Sequence, residues 1–411
     1  MMLTDNSATT GKRDLLLSRR PAASPVLAVA IVADLIEEAW PSMDHVAEML
    51  MHHLEAEDQI KVKQLRPAMR ARLTRLPGLG FQRRMLNGDR LLNRFFDYPR
   101  WLQRHTNGFE LFHLVDHSYA QLIPALPPDR TVVTCHDLDT FRCLIEPARD
   151  PRPRWFRYMA QRILDGLQRA AHIIAVSQAT RDELLQYKLV PAERLSVIPN
   201  GVHPSSTPLP DPAADAVAAS LLPEQGVRMV RLLNVGSTLP RKRLDVLLRV
   251  FAEVKREIPE AQLVRVGGFT ETQVRLVREL GIEQSVVSLP FLDRKVLAAV
   301  YRCSTLLLHT AEAEGFGLPV TEALACGCPV VASDIPVLRE VGGTAATFCK
   351  VADIAHWKSA VIRLLEERLE HPSVWEMRRQ EGIASAACYS WAENARQTAH
   401  IYRQVVSRTS R

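Results

Sequence analysis

Short apolar runs alternate with helix-patterned segments along nearly the whole chain, and no other feature limits the fold as tightly. One series of runs lies at 26–33, 111–115, 131–135, 172–176 and 195–199. A second lies at 229–235, 262–266, 286–289, 305–309 and 329–332. Continuous apolar runs of this length read as strands buried on both faces. Between them, segments such as 243–257 place Leu244, Leu247, Leu248 and Phe251 at helical spacing. The alternation predicts parallel sheets covered by helices on both faces. At 411 residues the chain exceeds the usual size of one core. The stretch "PSSTPLPDPAADAVAAS" (204–220) parts the two series and reads as a linker.

The expected fold class is therefore α/β, with two Rossmann-like doubly wound domains facing a cleft. Residues 1–24 form a loose tail, 25–203 the first domain, 204–226 the linker and 227–388 the second domain. A last helix spans 389–411, opened by a Ser390–Glu393 capping box. Ligands of such sheets sit beyond the carboxyl ends of the strands, which makes the cleft the default site.

Three segments place chemistry on that edge. In "AEAEGFGLPVTEALACGCPVV" (311–331), Pro319 suits a helix start, and Glu314 and Glu322 flank the turn before it. The amides of Phe316, Gly317 and Leu318 would form an anion site at the positive end of the helix, with Gly315 and Gly317 allowing close approach. Glu322, one turn into the helix, would repel a phosphate but offers two acceptor oxygens to a neutral diol such as a ribose. Glu314 would meet whatever the phosphate carries. Together these describe a nucleotide sugar. The plainer account is a solvated helix residue and a loop acid.

The second segment, "NVGSTLPRKRLDVLL" (234–248), is a strand, Gly236, a turn, then Arg241 and Lys242 opening a helix. Cations oppose the dipole there, a cost that a bound diphosphate would offset. In the third, "TVVTCHDLDTF" (131–141), His136 and Asp137 follow a strand end. Asp137 and Asp139 also have a spacing that can hold a divalent metal, although tripeptides of this kind arise by chance. Solvated basic residues and a satisfied core histidine are the plain alternatives.

Charge is uneven. The net +6 conceals a surplus of ten positive charges between Lys61 and Arg104, which leaves the rest of the chain near −4. Segment 61–105 interleaves Arg with Leu, Met, Phe and Trp. It reads as a solvated surface, as a peripheral contact with an anionic membrane, or as a nucleic-acid site, the last disfavoured. No apolar run approaches the roughly 20 residues of a membrane span. "VLAVAIVA" (26–33) is cut short by Asp34, Glu37 and Glu38, so a buried strand is preferred to a leader. Seven scattered cysteines without a Cys-x-x-Cys pair fit reduced thiols and a cytoplasmic protein.

In this order the segments resemble the retaining glycosyltransferases of family 4, group 1 type, with the GT-B fold. "EGFGLPVTEALACGCPVVAS" (314–333) looks like that family's paired-glutamate signature, and "NVGSTLPRKRLDVLL" is similar to its phosphate loop. "AVSQATRDELL…RLSVIPNGVH" (175–203) and "YSWAENARQTAHIYRQV" resemble its end-of-first-domain segment and C-terminal helix. The resemblance runs from about 111 to 405.

It implies that Glu322 holds the donor ribose, Glu314 contacts sugar hydroxyls, and the amides of Phe316 to Leu318 bind the diphosphate. Lys242 would neutralise the leaving group, His136 would stand at the donor sugar, and the last helix would return to the first domain. It further implies a nucleotide-diphosphate sugar as donor, a glycan or lipid-linked acceptor, and no metal or other cofactor. Two departures stand out. Ser237 occupies a place where many members have arginine. "DLIEEAWPSMDHVAEML" (34–50) has three acids, Asp34, Glu37 and Glu38, around the helix start and no glycine where many have a glycine-rich turn. Those acids would repel phosphate, which assigns the donor to the second domain and this loop to the acceptor. A non-catalytic GT-B-fold binding protein and a same-fold sugar epimerase are the alternatives.

Overall fold

A computed structural model describes residues 26–38, 40–75, 82–223 and 229–409. The expected tail 1–24 lies outside the described residues.

Six parallel strands build the first sheet: β1 (Leu27–Val32), β2 (Ile60–Leu65), β3 (Leu111–Leu114), β4 (Thr131–Cys135), β5 (His172–Ala175) and β6 (Leu195–Val197). Their order is β2-β1-β3-β4-β5-β6. Six more build the second: β7 (Val230–Val235), β8 (Ala261–Val266), β9 (Val286–Leu289), β10 (Leu306–His309), β11 (Val330–Ser333) and β12 (Ala346–Cys349). These are also parallel, in the order β12-β11-β10-β7-β8-β9. Strand order reverses between β1 and β3 in one sheet and between β7 and β10 in the other. Each reversal opens a crevice at the carboxyl edge.

Burial on both faces explains the apolar runs. Neighbouring Leu232 and Leu233 fall on opposite sides of the second sheet. Leu232 packs with Leu247 and Phe251, and Leu233 with Val320 and Leu324. The first sheet is covered on one side by the helix Arg154–Arg169 through Ile163, Leu164 and Leu167. Its other side meets the helix Pro41–Leu54 and the last helix, Trp391–Thr409, through Ala47, Leu50, Ala395, Ala399 and Tyr402. The His113 ring on β3 binds the Tyr402 hydroxyl at 2.6 Å.

Part of the stretch 204–226 is helical: Pro212–Leu221 is a helix capped by Asp211, whose carboxylate accepts from the Ala214 N–H at 3.2 Å. Ala214 and Ala218 bury into the second domain's core, so these two alanines are packing residues, while Ala213, Ala216 and Ala219 stay exposed. Residues 224–226 lie outside the described residues.

The basic segment is braced both within itself and against residues 37–44. Asp89 accepts from the N–H groups of Arg72, Leu73 and Thr74 and from the Thr74 hydroxyl at 2.7–3.1 Å. Burial pushes that carboxyl up, but the four donors outweigh it and hold it down to about 2. Arg66 pairs with Asp44 at 2.5 Å and Arg72 with Asp97. Arg94 lies 3.5 Å from Glu38, and Arg90 donates to the Glu37 carbonyl. Residues 76–81 of this segment lie outside the described residues.

Candidate active site

The crevice between β7 and β10 gathers residues of two segments that lie far apart in sequence. After β7, Gly236 turns the chain with φ +144°, and Pro240–Lys242 forms one tight turn. Arg243, in the left-handed region, then opens the helix Leu244–Glu257. After β10 the chain runs to Gly317, with φ +92°, which precedes the helix Leu318–Ala325. A Cβ at Gly317 would meet Leu338 at 2.8 Å, so both φ and space demand glycine there. The helix starts at Leu318, with Pro319 second.

Glu314 is the hub. The Lys242 ammonium contacts its Oε1, His309 Nε2 lies 2.8 Å from the same oxygen, and Arg241 Nη1 is 3.5 Å from Oε2. The side chain is 7 % exposed. Burial pushes the carboxyl up, but Lys242, His309 and Arg241 together hold it well below the usual range. In this arrangement Lys242 and Glu314 are joined directly. Across the turn, the N–H groups of Phe316, Gly317 and Leu318 donate to no other described residue. Phe316 itself packs edge-on to Tyr389, ring centroids 5.4 Å apart.

Glu322 lies one turn in, 8 % exposed, accepting from the Tyr301 hydroxyl at 3.1 Å. Burial raises its carboxyl to about 7, against the pull of Tyr301 and Arg294. The Tyr301 hydroxyl and the Arg294 charge therefore compensate this carboxylate only in part.

The first domain closes over this edge. A Cβ at Gly315 would stand 1.8 Å from the His136 carbonyl oxygen. Gly315 thus serves the contact between domains, a different use from the phosphate approach expected of it. Its own carbonyl accepts from the Ser177 hydroxyl at 2.8 Å. Arg241 reaches across to Asp137 at 3.3 Å and Asp139 at 2.8 Å. The Asp137–Asp139 spacing therefore faces a guanidinium. Among the described residues no group of three or more His, Cys, Asp or Glu side chains is placed to hold a metal ion. His136 is buried, its Nε2 donating to the Val115 carbonyl at 2.7 Å, and burial lowers its pKa.

Several residues at this edge carry no signal in the linear sequence. His309 ends β10 five residues before Glu314, and only the strand placement reveals it. His117 Nδ1 lies 3.3 Å from Asp116 Oδ1, and its Nε2 is 3.8 Å from Asp137 Oδ1. Asp34 sits opposite Asp116 because Val32 pairs with Leu114. Burial, then the Asp116 charge, drives the Asp34 carboxyl up. The acids of the loop after β1 are engaged locally: Glu37 accepts from the Met69 N–H at 3.2 Å, and Glu38 pairs with Arg94.

Comparison with known proteins adds the following. The chain matches the family model for glycosyl transferases group 1 over residues 228–381 and the model for glycosyltransferase family 4 over residues 35–206. It is 28% identical over 279 residues to the O-antigen chain mannosyltransferase B of Escherichia coli, a match covering 67% of this chain and 70% of that protein. It is equally 28% identical to the serotype-specific mannosyltransferase WbdA of Escherichia coli over 285 residues. That match takes in 68% of this chain but 34% of the relative, so the chain spans about a third of WbdA's length. Anabaena HepE, solved in complex with UDP and glucose, aligns with TM-score 0.67 and 16% identity, covering 91% of this chain and 98% of that one.

Proposed function

Because this chain belongs to the family-4, group 1 glycosyltransferases, we propose that it moves a hexose, with retention, from a nucleotide-diphosphate sugar to a glycan or lipid-linked acceptor. The observation that carries this reading is the joining of Lys242, Arg241, His309 and Glu314 opposite three unengaged amides at the β7/β10 switch point. The ribose takes Glu322, the diphosphate takes the amides of Phe316, Gly317 and Leu318 with the Gly236 turn, and Glu314 receives sugar hydroxyls. UDP and glucose in the complex of the similarly folded HepE support a nucleotide-sugar donor.

In the reaction the bond from the anomeric carbon to the diphosphate oxygen breaks and the acceptor hydroxyl adds to the same face. The acceptor proton passes to the departing phosphate oxygen. Negative charge grows on that leaving group, so Lys242, Arg241 and the helix amides act mainly by electrostatic stabilisation. His136, its ring fixed by Val115, stands on the opposite wall where the donor sugar lies. No metal is assigned a role. Proton NMR of the product tests the stereochemistry: an α-donor is expected to give an α-linkage, and a β-linkage would refute retention.

The acceptor side is the first domain's crevice, and the two mannosyltransferase relatives support a polysaccharide or glycolipid acceptor. A cytoplasmic site at the inner membrane face suits that acceptor. No described helix is long and apolar enough to cross a membrane. Contact through 61–105 is supported by exposed Lys61, Lys63 and Arg75 and by Phe96, 50% exposed beneath Arg100. Flotation on anionic but not neutral vesicles tests it, and no flotation at low salt ends it.

A further inference from the structure

Arg265 on β8 is an arginine where a core strand residue would be expected. Its side chain is 0% exposed, among the largest fully buried groups of the protein. The guanidinium donates through Nη2 to the carbonyls of Gly236 at 2.7 Å and Ser237 at 3.0 Å, and through Nη1 to the Val266 carbonyl at 2.5 Å. Its Nε has no partner among the described residues.

Two facts about this arginine need a cause. First, no carboxylate among the described residues balances it. Burial is the one influence on its pKa, pushing it down to about 10, whereas Arg66, Arg72, Arg94 and Arg241 all have acids beside them. A buried cation without a counter-charge is costly and persists where something else repays it. Second, all its acceptors are backbone carbonyls of the β7 and β8 ends, two of them in the turn after β7. Gly267, with φ +116°, sharpens the point: a Cβ there would lie 2.1 Å from the Gly236 oxygen and 3.3 Å from Arg265 Nη2. The backbone has been cleared so that the guanidinium can sit directly under this turn.

The consequence follows from peptide geometry. In a planar trans peptide the N–H points opposite to the C=O. All peptides described are trans. Drawing the Gly236 and Ser237 carbonyls inward therefore turns the Ser237 and Thr238 N–H groups outward. Neither N–H donates to another described residue, and both residues are half-buried. Two adjacent outward amides backed by a cation form an anion-binding concavity.

We propose that Arg265 is a positioning residue of the donor site. By holding the Gly236 and Ser237 carbonyls it aims the Ser237 and Thr238 amides, and its own unbalanced charge, at the diphosphate of the nucleotide sugar. This rests on the nucleotide-sugar reading above. It accounts for a phosphate turn that carries Ser237 at its rim: the positive charge comes from β8 beneath, where no side chain has to leave the ligand's path.

The test is calorimetric titration of the full-length protein with UDP and GDP, and with uridine and guanosine as phosphate-free controls. Arg265→Met is expected to weaken diphosphate binding by about 30-fold or more and to leave nucleoside binding within about twofold. Its ligand-free Tm should stay within a few degrees of wild type, because the loss of an unbalanced buried charge offsets the three carbonyls left without their donor. Arg265→Lys keeps a charge but cannot tie two carbonyls in a fork, so an intermediate loss of about fivefold is expected. Wild-type protein that binds neither diphosphate would bring down the donor reading and this inference with it. Wild type that binds, with a Met variant that binds equally well, overturns the role of Arg265 alone. Equal losses of nucleoside and diphosphate affinity with a lowered Tm would make Arg265 a structural residue only, and a Lys variant indistinguishable from wild type would remove the carbonyl tie.

Discussion

Replacing Glu322 by glutamine should make the ligand-free protein more stable and a poorer nucleotide binder. The carboxyl ordinarily titrates near 4.5 and is raised by burial to about 7. Between those values the folded chain keeps a proton that the unfolded chain has released. Stability contributed by this group is thus greatest below pH 4.5, falls as pH rises through 7, and is flat above. The difference amounts to about 3 kcal/mol at pH 8. Glutamine mimics the protonated form and still accepts from Tyr301, so the variant should match wild type at pH 4.5 and melt a few degrees higher at pH 8.

Binding runs the other way. Two acceptor oxygens for a ribose require the ionised form, which rises from roughly a tenth of molecules at pH 6 to nine-tenths at pH 8 for a group titrating near 7. Nucleoside affinity of wild type should therefore climb about tenfold over that interval, and the variant's should be flat and about 10- to 100-fold weaker at pH 8. Differential scanning fluorimetry and calorimetry with a nucleoside read both quantities. A variant less stable at pH 8, or a wild-type affinity indifferent to pH, would refute the assignment of Glu322 to the ribose.

Gly315→Ala should prevent the domains from seating, since the new Cβ would fall 1.8 Å from the His136 oxygen. Small-angle scattering is expected to show a larger radius of gyration with transfer lost, and an unchanged radius would contradict the contact. Asp89→Ala removes the acceptor for three backbone N–H groups and one hydroxyl, and should cost about 3 kcal/mol by urea unfolding. An unshifted midpoint would mean those donors find water instead.

The fold was legible where strands are buried on both faces and opaque at the edges. β2, "IKVKQL", alternates Lys with apolar residues because it borders one strand only, and it disappears into the basic segment. β12, "ATFC", is likewise an edge strand of four residues. The helix Pro212–Leu221 hides because proline at its start and a run of alanines look like linker composition.

At the site, Glu314, Glu322, Gly317 and Lys242 could be found because each follows a strand end within one local segment. Asp34 against Asp116, and Arg241 against Asp137 and Asp139, depend on strand register and domain closure between segments far apart in sequence. Arg265 gives no signal at all in "QLVRV". Only the sheet, by setting Arg265 beside Asn234, brings its side chain under the turn after β7.

The central claim is that the Lys242–Glu314 crevice transfers a sugar from a nucleotide donor. The most direct measurement is nucleotide release from a panel of UDP- and GDP-sugars, with a glycan acceptor and EDTA, by wild type, Lys242→Ala and Glu314→Ala. The account predicts release from one donor that survives EDTA and falls about 100-fold or more in both variants. Release that needs a divalent metal, or that persists undiminished in both variants, would contradict it.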